Sequence, residues 1–163
     1  MPAGFSVRQA GLADVAELAR HRAAMFRDMG KLAADLETPL REETERYLRD
    51  ALPRGDYLAW VVGSAGVPVI GGAGVQLRPI LPRPPESGGA LELGPEAIVL
   101  NVYVEPAWRR RGVAEALMRV LLGELHGRGI RRIVLHASAD GRRLYERLGF
   151  AATNEMRLIA FDQ

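Results

Sequence analysis

NVYVEPAWRRRGVA, residues 101–114, decides the fold, and the weight falls on 102–112. Val102 and Val104 close a run of β-branched and apolar residues over 97–104 that reads as a buried strand. Pro106 cannot continue it, because proline brings no N–H to a strand ladder. Arg109, Arg110 and Arg111 then make a basic turn. After Gly112 an amphipathic helix begins with Val113 and Ala114, runs over 114–128 with Leu117, Val120, Leu121 and Leu125 on one side, and is closed by Gly127 and Gly129. A helix start exposes unpaired N–H groups and the positive end of the helix dipole. Gly112 lets a bulky anion approach the backbone, Ala114 keeps the first turn thin, and the guanidinium groups add charge. From spacing alone a pyrophosphate cradle and a plain strand–helix junction with solvated arginines are equally supported.

Working outward, residues 132–137 read as a second buried strand, 142–148 as a short helix stopped by Gly149, and 154–161 as a last strand. Strands 97–104 and 132–137, joined through a helix, should be parallel with a right-handed crossover. Upstream, 5–9 alternates like an edge strand, and 12–29 repeats apolar residues at helical spacing with Asp14 in its first turn. Thr38-Pro39 opens a second helix expected to bury Tyr47, Leu48 and Ala51 and to stop at Pro53-Arg54-Gly55. Two strand-like runs, 57–62 and 68–77, flank a glycine turn and predict a hairpin. Residues 78–96 carry five of the ten prolines and read as a long loop, with Ile80, Leu81, Leu91 and Leu93 expected to pack on something.

The 163 residues suit one domain, 1–163, with one core. No apolar run reaches membrane-span length and the N-terminus lacks a secretory pattern, so a cytoplasmic location is the default expectation. The absence of cysteine excludes disulfides, thiolate metal sites and a cysteine nucleophile. A pI of 9.4 accompanies a net charge of only +2, and acidic residues interleave with the arginines, so most of the charge reads as an ion-paired surface.

Arg109, Gly112 and Ala114 fill an R/Q-x-x-G-x-G/A pattern, and Leu144-Tyr145-Glu146-Arg147-Leu148-Gly149-Phe150 fills an LYxxxGF pattern downstream. Two such motifs in this order resemble the GNAT (Gcn5-related N-acetyltransferase) superfamily. The resemblance is firm over residues 98–150 and loose but compatible elsewhere. It implies a mixed α/β (α+β) fold: a mostly antiparallel central sheet of six to seven strands flanked by about four helices, with a parallel, splayed strand pair. Acetyl-CoA would lie in the notch of that pair as cosubstrate, with no metal. Backbone groups of Val102 and Val104 would pair with its pantetheine arm and the amides of Arg110, Arg111, Gly112, Val113 and Ala114 would hold its pyrophosphate; Tyr103, Arg109 and Tyr145 would also contact it, and Ser138 would take the place of an asparagine that often touches CoA. An amine acceptor would attack the thioester directly.

Direct attack requires a neutral amine, although a lysine-type amine has a pKa of about 10.4, so a base or a desolvated pocket is needed. The oxyanion needs a donor, for which an amide near Val104 is a candidate. The resemblance makes Tyr145 the general acid that reprotonates the thiolate. For the base, Glu105 abuts the cradle and Glu92 and Glu96 could arrive with the proline-rich loop, while the resemblance implies that His21 and Glu37 lie in the helix region lining the acceptor side. His136 is expected to be a partly buried, satisfied histidine; no G-x-S-x-G elbow surrounds Ser138, which disfavours a serine hydrolase.

Gly71-Gly72-Ala73-Gly74 is followed by no helix, and no P-loop occurs, so nucleotide-binding alternatives are disfavoured. Aromatic residues make up 6% and do not interleave with a basic stripe, which disfavours RNA. A CoA-binding sensor without catalysis is the alternative from another class. A small-molecule amine is favoured over a protein as acceptor, acting on a monomer or homodimer, with no membrane partner.

Overall fold

In the computed structural model, which describes residues 4–64, 66–85 and 88–156, the chain runs β1 (Phe5–Gln9), α1 (Val15–Asp28), α2 (Glu37–Arg54), β2 (Tyr57–Ser64), β3 (Val67–Pro79), β4 (Pro95–Val104), α3 (Val113–Gly127), β5 (Ile133–Leu135) and α4 (Arg142–Arg147). The strands form one sheet in sequential order, antiparallel from β1 to β4 and parallel between β4 and β5. This is the expected mixed α/β architecture with about four helices. The described residues hold five strands rather than six or seven. The strand expected over 154–161 lies outside them from residue 157 onward, and 154–156 carry no regular structure. No helix among the described residues is long and apolar enough to cross a membrane.

Strand alternation sorts the core onto two faces. Tyr57, Ala59 and Val61 point to one cluster, with Leu48 and Ala51 of α2 and Val15 and Leu18 of α1. Leu58, Trp60 and Val62 point to the other, against Leu117, Met118, Leu121 and Leu125 of α3. Tyr47 is exposed, contrary to expectation: it lies edge-on to Tyr57, ring centroids 6.1 Å apart, at the rim of the first cluster. Thr38 lies inside the first turn of α2 rather than capping it, because a 3-10 turn at Ala34–Leu36 leads directly into the helix.

Two local features shape β4. First, Asn101 takes a left-handed backbone, φ 56°, where the β3–β4 register slips between Gly72 and Gly74. Asparagine is among the few side chains that tolerate this region. The bulge shifts the alternation, so the α3 face receives Ala97 and Val99 before it and Val102 and Val104 after it. Second, the buried Glu96 carboxylate is ion-paired with Arg78 of β3 and with Arg132 just before β5. That clamp ties β3 and β4 to the residue before β5 at the opposite end of β4 from Val104, and this position removes Glu96 from the candidate bases.

The glycines of β3 have a packing explanation. A Cβ on Gly74 would lie 1.7 Å from the Tyr57 hydroxyl. That hydroxyl is buried and accepts a hydrogen bond from Asn101 Nδ2 at 2.8 Å, so it cannot swing aside freely. Gly74→Ala is therefore expected to destabilise the fold by about 1–3 kcal/mol, as overpacking does. Urea denaturation checks this, and an unchanged midpoint would mean that the ring relocates without cost.

Of the apolar residues expected to pack within 80–94, Ile80 is half-buried and the three leucines are not. Leu81, Leu91 and Leu93 are exposed, and the segment is fastened to itself by paired backbone bonds between Arg83 and Glu92. The Arg83–Glu92 ion pair occupies Glu92.

Candidate active site

β4 and β5 share three residue pairs, ending at Val99 opposite Leu135. β4 runs on to Val104 while β5 stops, because Ala137-Ser138-Ala139-Asp140-Gly141 turns away into α4. The strands therefore part and leave a notch. Glu105 N–H donates to the Ile70 carbonyl at 2.9 Å, so the adjacent Gly71/Val104 pair is of the non-hydrogen-bonded kind. The N–H and C=O of Val104 consequently face the notch. Arg109 Nε donates to that carbonyl at 2.8 Å, and among the described residues no neighbouring strand covers the N–H.

Below the notch lies a cavity of about 500 Å³. One wall is Val104, Arg110, Gly112, Val113 and Ala114; the other is Asp140, Arg143, Leu144 and Arg147. The first intrahelical bond of α3 runs from Ala116 N–H to the Gly112 carbonyl. The amides of Val113, Ala114 and Glu115 thus precede the ladder and project from the positive end of a 15-residue helix. Gly112 has φ 76° and Arg110 φ 63°, left-handed geometry that curls the turn around the cavity. Glu115 on the rim is engaged by Arg119 and Arg147, which hold its carboxyl below the usual range.

The other anticipated residues lie nearby. Arg109 lines the cavity, but its guanidinium is ion-paired with Asp28 and lies 5.4 Å from the Tyr103 ring centroid. Arg111 sits over Trp108 at 5.2 Å. Val102 packs against the α3 cluster. Tyr103 faces α1, its ring 5.0 Å from His21. Ser138 Oγ accepts the Gly141 N–H at 3.2 Å, at the start of α4. Tyr145 stands on the first turn of α4, edge-on to Phe150 at 6.0 Å, and a Cβ at Gly141 would come within 2.8 Å of its ring. Burial pushes the Tyr145 phenol above its ordinary value, so it stays protonated. His136 is exposed rather than partly buried, because β5 ends one residue earlier; its Nε2 lies 2.7 Å from Glu155.

Glu105 is on the α1 face of β4, across the strand from the cavity. One carboxylate oxygen is ion-paired with Arg20 and lies 3.4 Å from His21 Nε2; the other is 3.5 Å from the Tyr103 hydroxyl. His21 is buried and kept neutral chiefly by that burial, and Glu17 Oε1 is also 3.4 Å from its Nε2. Glu37, the other acceptor-side carboxylate considered, pairs with Arg27. The sequence signal for this cluster is the i,i+4 spacing of Glu17 and His21, which places both on one face of α1.

A model described as the acetyltransferase (GNAT) family matches residues 19–150. A GCN5-related N-acetyltransferase from Ralstonia eutropha JMP134 is 32% identical, with a TM-score of 0.83 over 96% of this chain and 99% of that one. A predicted acetyltransferase from Clostridium acetobutylicum, solved with acetyl-CoA, is 25% identical with a TM-score of 0.80, covering 96% of each chain. Among curated relatives, the [ribosomal protein bS18]-alanine N-acetyltransferase of Escherichia coli strain K12 is 38% identical over 58 residues, 34% of this chain and 39% of that protein's length.

Proposed function

The chain belongs to the GNAT acetyltransferase family, and from that premise we propose that residues 1–163 form one acetyltransferase domain that moves the acetyl group of acetyl-CoA to a primary amine by direct attack in a ternary complex. The observation that carries this reading is the Val104 N–H facing an open notch at the mouth of the Gly112 turn. Acetyl-CoA fits the residues present. Its pyrophosphate suits the free amides of Val113 and Ala114 with Arg110 beside them, while the arm suits the uncovered edge of β4. Val102 serves that edge through its backbone. Arg109 and Arg111, tied to Asp28 and Trp108, shape the turn.

With the thioester carbonyl against the Val104 N–H, that amide stabilises the developing oxyanion. The amine approaches from the α1 face, where Glu105 accepts its proton as the nitrogen bonds to the carbonyl carbon. When the tetrahedral adduct collapses, Tyr145 protonates the departing sulfur. The raised phenol pKa keeps this donor charged with its proton, so Tyr145 itself produces no alkaline loss of rate below pH 10.

Initial rates with both substrates varied should give intersecting double-reciprocal lines, and acetyl-CoA alone should leave the protein mass unchanged. Parallel lines with an acetylated protein would replace direct transfer by a covalent intermediate. Glu105→Gln should lower kcat/KM for the amine by about 10²-fold while the affinity for CoA holds. Retention of full activity would remove Glu105 as the base.

A small-molecule amine is the first acceptor reading. The curated relative's name favours a second, the N-terminal amine of a protein. Mass spectrometry of products from a mixed panel of free amines and N-terminal alanyl peptides separates them. A sensor that binds CoA without turning over any amine is the remaining alternative.

A further inference from the structure

We infer that Glu17, His21 and Glu105 form a binding site for a late first-row divalent cation of the zinc class. Their ligand atoms all lie within 4.8 Å of one another. His21 Nε2 is 3.4 Å from Glu17 Oε1 and 3.4 Å from Glu105 Oε1. Both separations are too long for good hydrogen bonds, yet a tetrahedron with bonds of about 2.0–2.1 Å has edges of roughly 3.4 Å. His21 is 1% exposed, and neither ring nitrogen has a hydrogen-bond partner among the described residues. A buried imidazole in that condition is costly unless something engages it.

Glu17 and Glu105 are partly exposed, so an ion can enter and retain water. The mixture of one imidazole and two carboxylates suits zinc, cobalt or nickel better than magnesium or calcium, which prefer oxygen-only shells. Arg20 is the competitor. Its guanidinium pairs with Glu17 at 2.6 Å and also with Glu105, supplying the positive charge that the two carboxylates require. It is 38% exposed on a flexible stem and can swing outward when an ion takes its place. The site itself does not depend on any catalytic assignment. Its consequence does: an ion on Glu105 occupies the base of the proposed reaction, so binding inhibits transfer.

The test titrates the purified protein with Zn²⁺, and with Co²⁺ for its visible spectrum, using Mg²⁺ as the control cation. At a hundredfold excess over Kd, Zn²⁺ should raise Tm by about 5–10 °C, and Co²⁺ should show the d–d bands of a low-coordinate site. Both signals should vanish in Glu17→Gln and in His21→Ala, the former being a surface change that leaves the core intact. Arg20→Met should bind Zn²⁺ roughly tenfold more tightly. Absence of both signals in the natural chain overturns the site, and binding by Arg20→Met alone overturns it too, since the guanidinium would then exclude the ion. Equal shifts in the natural chain and Glu17→Gln would place the ion elsewhere. These readouts are independent of turnover, so they stand apart from the fate of the acetyltransferase reading.

Discussion

Gly112→Glu is expected to abolish CoA binding, lowering affinity by at least about 100-fold. Three effects act together. Gly112 has φ 76°, where an L side chain costs roughly 1–2 kcal/mol. The new carboxylate would lie beside the amides of Val113 and Ala114 and compete for them with the pyrophosphate. It also places negative charge at the helix end that should receive an anion. Gly112→Ala separates the terms: it carries the backbone cost without the charge, so affinity should fall far less than in the glutamate variant. Isothermal titration with CoA measures both. Unchanged affinity in Gly112→Glu would move the cofactor out of the cavity altogether.

Tyr145→Phe is expected to lower kcat by about 10²-fold with little change in CoA affinity, the range typical of a lost general acid. The ring packs against Phe150 and Gly141, and phenylalanine preserves that packing. What it removes is a hydroxyl that burial keeps protonated. Thermal melting should therefore be near that of the natural chain. If binding and turnover fall together, Tyr145 is a wall of the CoA site and not its proton donor.

Residues 97–150 are the legible part of the chain, because their elements follow directly from local patterns. The 97–104 run, the break at Pro106 and the helical repeat Leu117, Leu121, Leu125 each specify an element, and a parallel pair joined by a helix has one favoured hand. The cradle was legible for the same reason: Arg110 to Ala114 are contiguous, so strand–turn–helix order alone places them on one wall. What was missed depends on long-range pairing. Nothing local says that Glu96 will meet Arg78 and Arg132, or that Glu105 will meet Arg20 and His21 from α1. The bulge at Asn101 was also invisible, since one left-handed residue shifts the alternation without altering composition. The exposure of Leu81, Leu91 and Leu93 is not legible, because a leucine is as apolar on a free loop as in a core. Charge alone does not place Arg109 and Arg111, since an arginine's reach lets it turn to Asp28 or lie over Trp108.

The most direct test follows free thiol released from acetyl-CoA by the purified chain, with and without a panel of primary amines. Release should depend on the amine, saturate with it, and match acetylated product mole for mole. CoA-induced thermal stabilisation without amine-dependent release on any member of the panel would contradict acetyl transfer and leave a CoA-binding sensor in its place.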